Sequence, residues 1–231
     1  MQFFLDSAKL DEIEYAIKRW KIDGVTTNPR HLMAAGQRTE DFAKKVNNLI
    51  KGTNLTVSIE IDPHIKDAKS MVKEAKRLAS FGPNFVIKIP ATEEGYEALY
   101  LLSQEGIKVN MTLVFTIVQA LQAARLGAFY ISPFVGWREE KGESDADFIA
   151  KLVKAIKNYG FSSKILISAV RSAKHFAEAA LAGADIVTAG FEIYKKAFEN
   201  PYTQIGLEIF ANAWNKIYCE GVGSCDSFSG S

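Results

Sequence analysis

Cysteine is scarce in this chain of 231 residues. The two cysteines, Cys219 and Cys225, lie in a stretch rich in glycine and serine, 219–231, and their spacing matches no zinc-binding pattern. A disulfide framework would place cysteines within the folded part of the chain, so we expect a protein of the reducing cytoplasm. We expect residues 219–231 to form a disordered tail.

An excess of charge of one sign is also lacking. The chain has 28 Lys and Arg residues against 27 Asp and Glu residues, a net charge of +1, and the two signs alternate along it. A nucleic-acid partner or an anionic membrane surface would require a cluster of basic residues. The apolar runs, such as 85–87, are far shorter than the roughly 20 residues that span a bilayer. Residues 1–6 lack the basic segment of a secretory signal. We therefore expect a soluble protein without nucleic-acid or membrane partners.

Signatures of bound cofactors are missing too. The sequence contains no Gly-rich Walker or dinucleotide-binding fingerprint. Its three histidines, His31, His64 and His175, are far apart and lack metal-ligand spacing. We interpret them as surface or local structural residues and expect no metal site.

Short β-branched or apolar runs alternate with amphipathic segments along the whole chain. This alternation is typical of βαβ units and a parallel sheet. Eight units of about 29 residues each suit the compact end of (β/α)8 barrels. We favour this TIM barrel over a doubly wound sheet, because no unit is missing and no change of composition divides residues 1–218. A final helix over 202–218 follows the eight units and must pack under its own barrel or on a neighbouring subunit. The expected strands are 2–6, 24–28, 55–60, 85–90, 108–113, 128–134, 164–170 and 185–190.

Polar residues occur late in several of these strands, where apolar residues are expected. Each pair is spaced i and i+2, so both members point to the same side of the strand. Catalytic groups of TIM barrels come from the carboxyl ends of the strands. We therefore expect these side chains, with Asp6 at the end of the first strand, to converge on one mouth of the barrel. The pairs are Thr26 and Asn28, Ser58 and Glu60, Asn110 and Thr112, and Ser132 and Phe134.

Lys88 interrupts an otherwise apolar strand. Burying an ammonium group without a partner is costly. One interpretation is a structural ion pair with Glu60 or Asp6, or a side chain that extends to the rim. The other is a desolvated amine that attacks carbonyl substrates and forms a Schiff base. The convergence of carboxylates, amides and hydroxyls on one mouth favours the second interpretation, because packing alone does not require so polar a surface.

Several motifs of this chain, in their expected order, resemble the small transaldolase family, which also contains the fructose-6-phosphate aldolases. The resemblance runs from residue 2 to about 218. It implies a cofactor-free class I enzyme of the pentose phosphate pathway that moves a dihydroxyacetone unit between sugar phosphates. It also implies a ring-like homo-oligomer, a pentamer or decamer. The motifs are Phe4-Leu5-Asp6, Asp23-Gly-Val-Thr-Thr-Asn-Pro29, Val86-Ile-Lys88-Ile-Pro, Asn110-Met-Thr112, Ser132-Pro-Phe134-Val-Gly and Ala184-Asp-Ile-Val-Thr188.

The resemblance implies four catalytic roles. Lys88 would be the Schiff-base nucleophile. Asp6 would handle the proton of the hydroxyl at the cleaved carbon–carbon bond. Glu60 and Thr112 would hold the water that relays protons while the carbinolamine forms and collapses.

The resemblance also implies a set of substrate-binding residues. Asn28 and Asn110 would bind hydroxyls of the dihydroxyacetone unit, Ser132 would bind its terminal hydroxyl, and Thr26 would lie beside them. Phe134, like Glu60, is typical of the transaldolase branch, because the aldolase branch tends to carry Tyr and Gln at these positions. A Tyr hydroxyl near the bound water would promote hydrolysis of the enamine intermediate. With Phe at this position, the intermediate persists until an acceptor aldehyde binds.

Two departures concern the phosphate site. Trp137 stands where the family carries a phosphate-binding Arg. Arg138, one position later, would bind the substrate phosphate in its place only if the loop is reshaped. Ala169 replaces a serine, while Arg171 remains as a bidentate phosphate partner. Arg30 follows Pro29 at the expected barrel mouth and has two interpretations, a contact with a substrate phosphate and a solvated loop charge. We favour the second.

Three functions follow, in order of preference. The first is a transaldolase that takes dihydroxyacetone from fructose 6-phosphate or sedoheptulose 7-phosphate and transfers it to an aldose phosphate. The second is an aldolase that cleaves fructose 6-phosphate to free dihydroxyacetone. The third is a non-catalytic barrel that binds a small ligand.

Overall fold

The computed structural model describes residues 1–143 and 145–218. The chain separates into two compact units, Met1–Ile193 and a second that begins at Tyr194. The expected tail, 219–231, lies outside the described residues. Within the described ranges, none of the helices has the length and hydropathy needed to cross a bilayer.

Eight parallel strands of the first unit close into a barrel in sequence order. The first strand pairs with both the second and the eighth, through Asp6 opposite Thr26 and Gln2 opposite Ile186. A doubly wound sheet has two free edges, so this pairing confirms the (β/α)8 prediction. The strands are β1 Gln2–Asp6, β2 Gly24–Thr26, β3 Thr56–Glu60, β4 Phe85–Pro90, β5 Val109–Val114, β6 Tyr130–Pro133, β7 Lys164–Ile167 and β8 Ile186–Ala189.

Helices follow the strands, and several begin or end at residues suited to those positions. The Thr92 hydroxyl accepts a hydrogen bond from the Gly95 N–H, and the Thr116 side chain forms a capping box with Gln119. Gly183, with φ of 76°, ends one helix in the left-handed conformation. The helices are α1 Leu10–Tyr15, α2 Pro29–Ala34, α3 Thr39–Leu49, α4 Ala68–Ala79, α5 Glu93–Gln104, α6 Ile117–Arg125, α7 Val135–Glu139, α8 Asp145–Asn158, α9 Ala173–Ala182, α10 Phe191–Phe198 and α11 Pro201–Tyr218, with a π-helical turn, Ala16–Trp20, after α1.

The inner face of the barrel has an apolar layer below a polar one. Phe4, Val86, Tyr130, Leu166 and Ile186 form one buried apolar cluster. Side chains two residues apart in a strand point the same way, so the next inward position on each strand lies directly above this cluster. All five of these positions carry a polar residue: Asp6, Lys88, Ser132, Ser168 and Thr188.

Glycine at position 24 makes room for the apolar layer. A Cβ atom built on Gly24 would lie 2.5 Å from the Phe4 ring. The Phe4 ring therefore reaches across to β2 and packs edge to face with Tyr130, at 5.8 Å between ring centroids. This packing closes the barrel beneath the polar layer and leaves its carboxyl-end mouth as the open side.

Five strands are shorter than the sequence predicts, namely β2, β3, β6, β7 and β8, and the early ends of β2 and β7 bear on the site. β2 ends at Thr26 because Asn28 already serves as the N-cap of α2, where its side chain accepts a hydrogen bond from the His31 N–H. β7 ends at Ile167, and Ala169 adopts a left-handed conformation with φ of 58°. Both early endings place loop residues, rather than strand residues, around the mouth of the barrel.

Candidate active site

A cavity of about 480 Å³ opens at the carboxyl ends of the strands. Eight predicted site residues, from six different strands or strand ends, line it, whereas Ser58, Asn110 and Thr112 do not. The eight are Asp6, Thr26, Asn28, Glu60, Lys88, Ser132, Phe134 and Arg171. No group of three His, Cys, Asp or Glu residues in the described part of the chain is placed to hold a metal ion.

Lys88 lies in the wall of this cavity and is only 4% exposed. Its Nζ donates a hydrogen bond to the Thr27 carbonyl at 2.9 Å and lies 3.2 Å from a carboxylate oxygen of Glu60. The register of β3 and β4 places Glu60 directly opposite Lys88. The ion pair expected under the structural interpretation is therefore present, and the amine also faces the cavity. A buried amine beside a carboxylate has the partners needed for attack on a carbonyl carbon.

Asp6 stands on another part of the wall and belongs to a second network. Its Oδ1 accepts a hydrogen bond from the Thr26 hydroxyl at 2.7 Å, and that hydroxyl lies 2.6 Å from the Thr188 hydroxyl. The His31 Nδ1 lies 3.3 Å from the same Oδ1. Burial alone raises the pKa of Asp6, but the adjacent His31, with Lys88 and the hydrogen bond from Thr26, outweighs it and holds the pKa below its ordinary value.

Asn110 and Thr112 lie behind the cavity surface, and both are fully buried. The Ser132 hydroxyl donates to the Asn110 Oδ1 at 2.7 Å, and the Asn110 Nδ2 donates to the Ser58 hydroxyl at 3.1 Å. Asn110 therefore fixes the orientation of Ser132, which does line the cavity. The Thr112 hydroxyl makes no hydrogen bond with the described residues.

An aromatic wall bounds one side of the cavity. Phe134 and Trp137 pack edge to face at 5.4 Å, and Trp137 stacks on Phe115 at 6.0 Å. The Gly136 N–H donates to the Ala169 carbonyl at 3.2 Å, which holds α7 against the segment after β7. Trp137 thus lines the cavity at the position where the family resemblance implies a phosphate-binding Arg.

Three arginines near the mouth, Arg30, Arg138 and Arg171, line two different cavities. Arg138 does not line the cavity that holds Lys88, but lies in a neighbouring one with Glu143. It pairs with Glu143, donates to the Phe115 carbonyl at 2.8 Å and stacks over the Phe148 ring. Arg171 and Arg30 both line the Lys88 cavity.

These two guanidinium groups differ in their partners. The Arg171 Nε lies 3.1 Å from a carboxylate oxygen of Glu140. Arg30 is exposed and makes no hydrogen bond or ion pair with the described residues. The sequence predicts Arg30 in a loop, but it lies in the first turn of α2 and lines the cavity.

Two histidines have surroundings that the sequence did not reveal. His175 is fully buried, accepts a hydrogen bond from the Arg171 N–H at 3.1 Å and lies 3.0 Å from Glu139, so it is a local structural residue rather than a surface one. His31 lines the cavity beside Asp6. Its position three residues after the N-cap Asn28 is the signal that places it at the mouth.

A family model described as transaldolase/fructose-6-phosphate aldolase matches residues 3–220. The chain belongs to this family. We therefore assign it a transaldolase-family activity, which is that of a transferase. The chain is 46% identical to a 6-deoxy-6-sulfo-D-fructose transaldolase of Priestia megaterium, over 95% of this chain and 98% of the relative. It is 40% identical to a "Probable transaldolase" of Dictyoglomus turgidum, over 94% and 99%.

A solved structure outside these relatives shares the fold. It is a 3-hexulose-6-phosphate synthase from Salmonella typhimurium, with a TM-score of 0.59 and 14% sequence identity, over 82% of this chain and 89% of that one. At this identity the match supports the barrel architecture alone, because unrelated activities share TIM barrels.

Substitution of Thr26 tests what holds the pKa of Asp6 below its ordinary value in this transaldolase-family site. We expect Thr26→Val to raise the pKa of Asp6 and to lower the free energy of unfolding at pH 7 by about 1–3 kcal/mol, because a carboxylate loses a donor. A carboxyl group whose pKa is lower in the folded state stabilises the protein at a pH above its unfolded-state pKa. This contribution is lost as the pH falls through the folded-state pKa. The loss in Thr26→Val should therefore shrink toward low pH in denaturant titrations between pH 7 and pH 3.

Thr27→Val is the matched control for this experiment. The Thr27 hydroxyl donates to the Ser58 carbonyl at 2.9 Å, and this neutral acceptor does not titrate. The destabilisation caused by Thr27→Val should not change with pH. Equal pH dependence in the two variants would contradict the role assigned to the Thr26 hydroxyl.

Proposed function

We propose that this protein is a Schiff-base transaldolase. It transfers a dihydroxyacetone unit from a ketose with an anionic end group to an aldehyde acceptor. The observation that carries this proposal is the position of Lys88, a buried amine 3.2 Å from Glu60 in the wall of a cavity that also contains Asp6. The family to which the chain belongs supports the reaction class.

The first half of the reaction breaks a carbon–carbon bond. The Lys88 amine attacks the C2 carbonyl of the ketose, and the carbinolamine loses water to give an imine. Glu60 and the buried Thr112 hydroxyl hold the water that carries protons in this step. Asp6 then takes the proton of the C4 hydroxyl while the C3–C4 bond breaks. The aldehyde fragment leaves, and the electron pair of the broken bond remains on Lys88-bound dihydroxyacetone as an enamine.

The second half runs the same chemistry in reverse. The enamine carbon attacks the carbonyl carbon of the acceptor aldehyde, and Asp6 returns its proton to the new hydroxyl oxygen. Water adds to the imine, and the bond from Lys88 to the product breaks. Phe134 presents no hydroxyl to the enamine, which favours transfer to an acceptor over release of dihydroxyacetone.

We further propose that the preferred donor carries a sulfonate, as in 6-deoxy-6-sulfofructose, rather than a phosphate. A phosphate monoester carries a charge of about −1.5 to −2 at neutral pH, whereas a sulfonate is singly charged. Arg138 is occupied in a neighbouring cavity, and Trp137 takes its place in the wall. Arg171 already pairs with Glu140. A wall with an aromatic ring and few free cations suits the singly charged group, as does the 46% identity to a 6-deoxy-6-sulfo-D-fructose transaldolase.

We also propose that this protein assembles into a homo-oligomer. The helix α11 contains no buried residue. A helix with so many exposed apolar side chains is typical of one that packs on another subunit. Its large exposed apolar and aromatic residues are Tyr202, Ile205, Leu207, Ile209, Phe210, Trp214, Ile217 and Tyr218.

Trapping of the intermediate tests the proposed nucleophile. Borohydride reduction in the presence of 6-deoxy-6-sulfofructose or fructose 6-phosphate should add the mass of reduced dihydroxyacetone to Lys88, as read by peptide mass spectrometry. Lys88→Met should abolish both the adduct and transfer. Lys164→Met is the control, because Lys164 is exposed at the start of β7, away from the mouth. Full transfer by Lys88→Met would refute the proposal.

Donor preference tests the proposed end group. We expect kcat/KM for 6-deoxy-6-sulfofructose to exceed that for fructose 6-phosphate by at least about tenfold, which corresponds to ~1.4 kcal/mol of transition-state binding. Trp137→Arg should reduce this ratio, while Trp137→Phe should retain it. A ratio that favours fructose 6-phosphate in the unsubstituted protein would assign the phosphate donor instead. Release of dihydroxyacetone without any acceptor would assign the aldolase reaction.

Sedimentation velocity tests the proposed assembly. We expect a species of several chains at micromolar concentration, since the apolar surface of α11 is costly to leave in water. Trp214→Glu combined with Phe210→Glu should dissociate it. A monomer in the unsubstituted protein would contradict the proposal.

A further inference from the structure

His31 is a cavity residue beside Asp6 to which the proposed reaction gives no role. Its Nδ1 lies 3.3 Å from the Asp6 Oδ1, and its side chain is 29% exposed. The backbone N–H of His31 donates to the Asn28 Oδ1 at 3.1 Å, so the N-cap of α2 fixes the place from which the ring extends. The Nδ1 atom itself is buried and makes no hydrogen bond of standard geometry within the described residues.

The surroundings of this pair contain groups of both signs. Asp6 receives a hydrogen bond from Thr26 on β2 and the positive charge of Lys88 on β4. A second, smaller cavity borders Asp6 and His31 on their other side, and its charged residues come from α10 and from α1 and the segment before it. Lys9 and Glu12 form an ion pair there at 3.0 Å. The charged groups around the pair are therefore Glu60, Lys88, Lys9, Glu12, Glu192, Arg30 and Arg171.

Histidine is the side-chain type whose charge ordinarily changes near neutral pH. Carboxylates ordinarily ionise well below this range and Lys and Arg well above it, whereas an imidazole titrates near about 6.5. A protonated ring donates an Nδ1–H to the Asp6 carboxylate and adds a positive charge beside it. Both effects stabilise the ionised carboxylate and so weaken it as a base toward a substrate hydroxyl.

We propose that His31 is a positioning residue that controls the basicity of Asp6 through its own charge, with the neutral ring as the active form. The inference rests on the proposed function, in which Asp6 must accept the proton of the substrate hydroxyl at the cleaved bond. With a neutral His31, Asp6 accepts this proton readily and holds it until the acceptor aldehyde has reacted. With a charged His31, the carboxylate stays ionised and cleavage slows.

The test separates cleavage from imine formation. The single-turnover rate of donor cleavage in the unsubstituted protein should rise about tenfold from pH 5.5 to pH 7.5, following the fraction of neutral imidazole. His31→Asn places an amide N–H near the position of Nδ1 but does not titrate. Its cleavage rate should change by less than about twofold over the same range. Imine formation from dihydroxyacetone, trapped with borohydride, requires no bond cleavage and should be equal in the two proteins.

His64→Asn is the matched control. His64 also lies beside an aspartate, at 2.7 Å from Asp62, but it is exposed and outside the cavity. Its substitution should leave the pH profile of cleavage unchanged. A profile in His31→Asn that rises as in the unsubstituted protein, with normal trapping of dihydroxyacetone, would overturn the inference about His31 alone. Absence of any trapped adduct in the unsubstituted protein would instead overturn the proposed function.

Discussion

The burial of one ammonium group in the barrel governs the arrangement of the site. Removing the charge of Lys88 from water is costly unless partners replace the lost hydration. The register of β3 and β4 supplies the Glu60 carboxylate, and the early end of β2 leaves the Thr27 carbonyl free to accept the second hydrogen bond. The same two partners hold the amine at the cavity wall, where its chemistry is useful.

The polar layer around Lys88 depends on the apolar layer beneath it. The cluster that contains Phe4 and Tyr130 fills the barrel and leaves only the mouth open. Above it, hydroxyls and amides connect neighbouring strands in two networks, one through Asp6 and Thr26 and the other through Asn110 and Ser132. Each network satisfies buried polar groups and also orients a side chain that faces the cavity. Packing and function therefore require the same hydrogen bonds.

Much of the site was predictable because strand geometry is regular. A period of two residues indicates which side chains face the barrel axis, and Asp6, Glu60 and Lys88 lie on strands whose positions at the mouth follow from that period. The same period does not distinguish a residue of the cavity wall from one in the layer behind it. It therefore predicts the same position for Asn110 and Ser132, although only Ser132 lines the cavity. Loop residues follow no such period. The direction of Arg138, which stacks on Phe148, and the approach of His31 to Asp6 depend on loop paths and helix capping.

The sequence by itself determined the eight alternating units, the inward polar positions and the family resemblance, because these depend on local periodicity and short motifs. Only the tertiary structure decided which polar groups meet and which arginine faces the cavity. Those outcomes depend on distances between residues far apart in the chain, such as His31 Nδ1 and Asp6 Oδ1 at 3.3 Å. A periodic pattern fixes the direction of a side chain relative to its own strand, whereas a contact also requires the position of every neighbouring strand and loop.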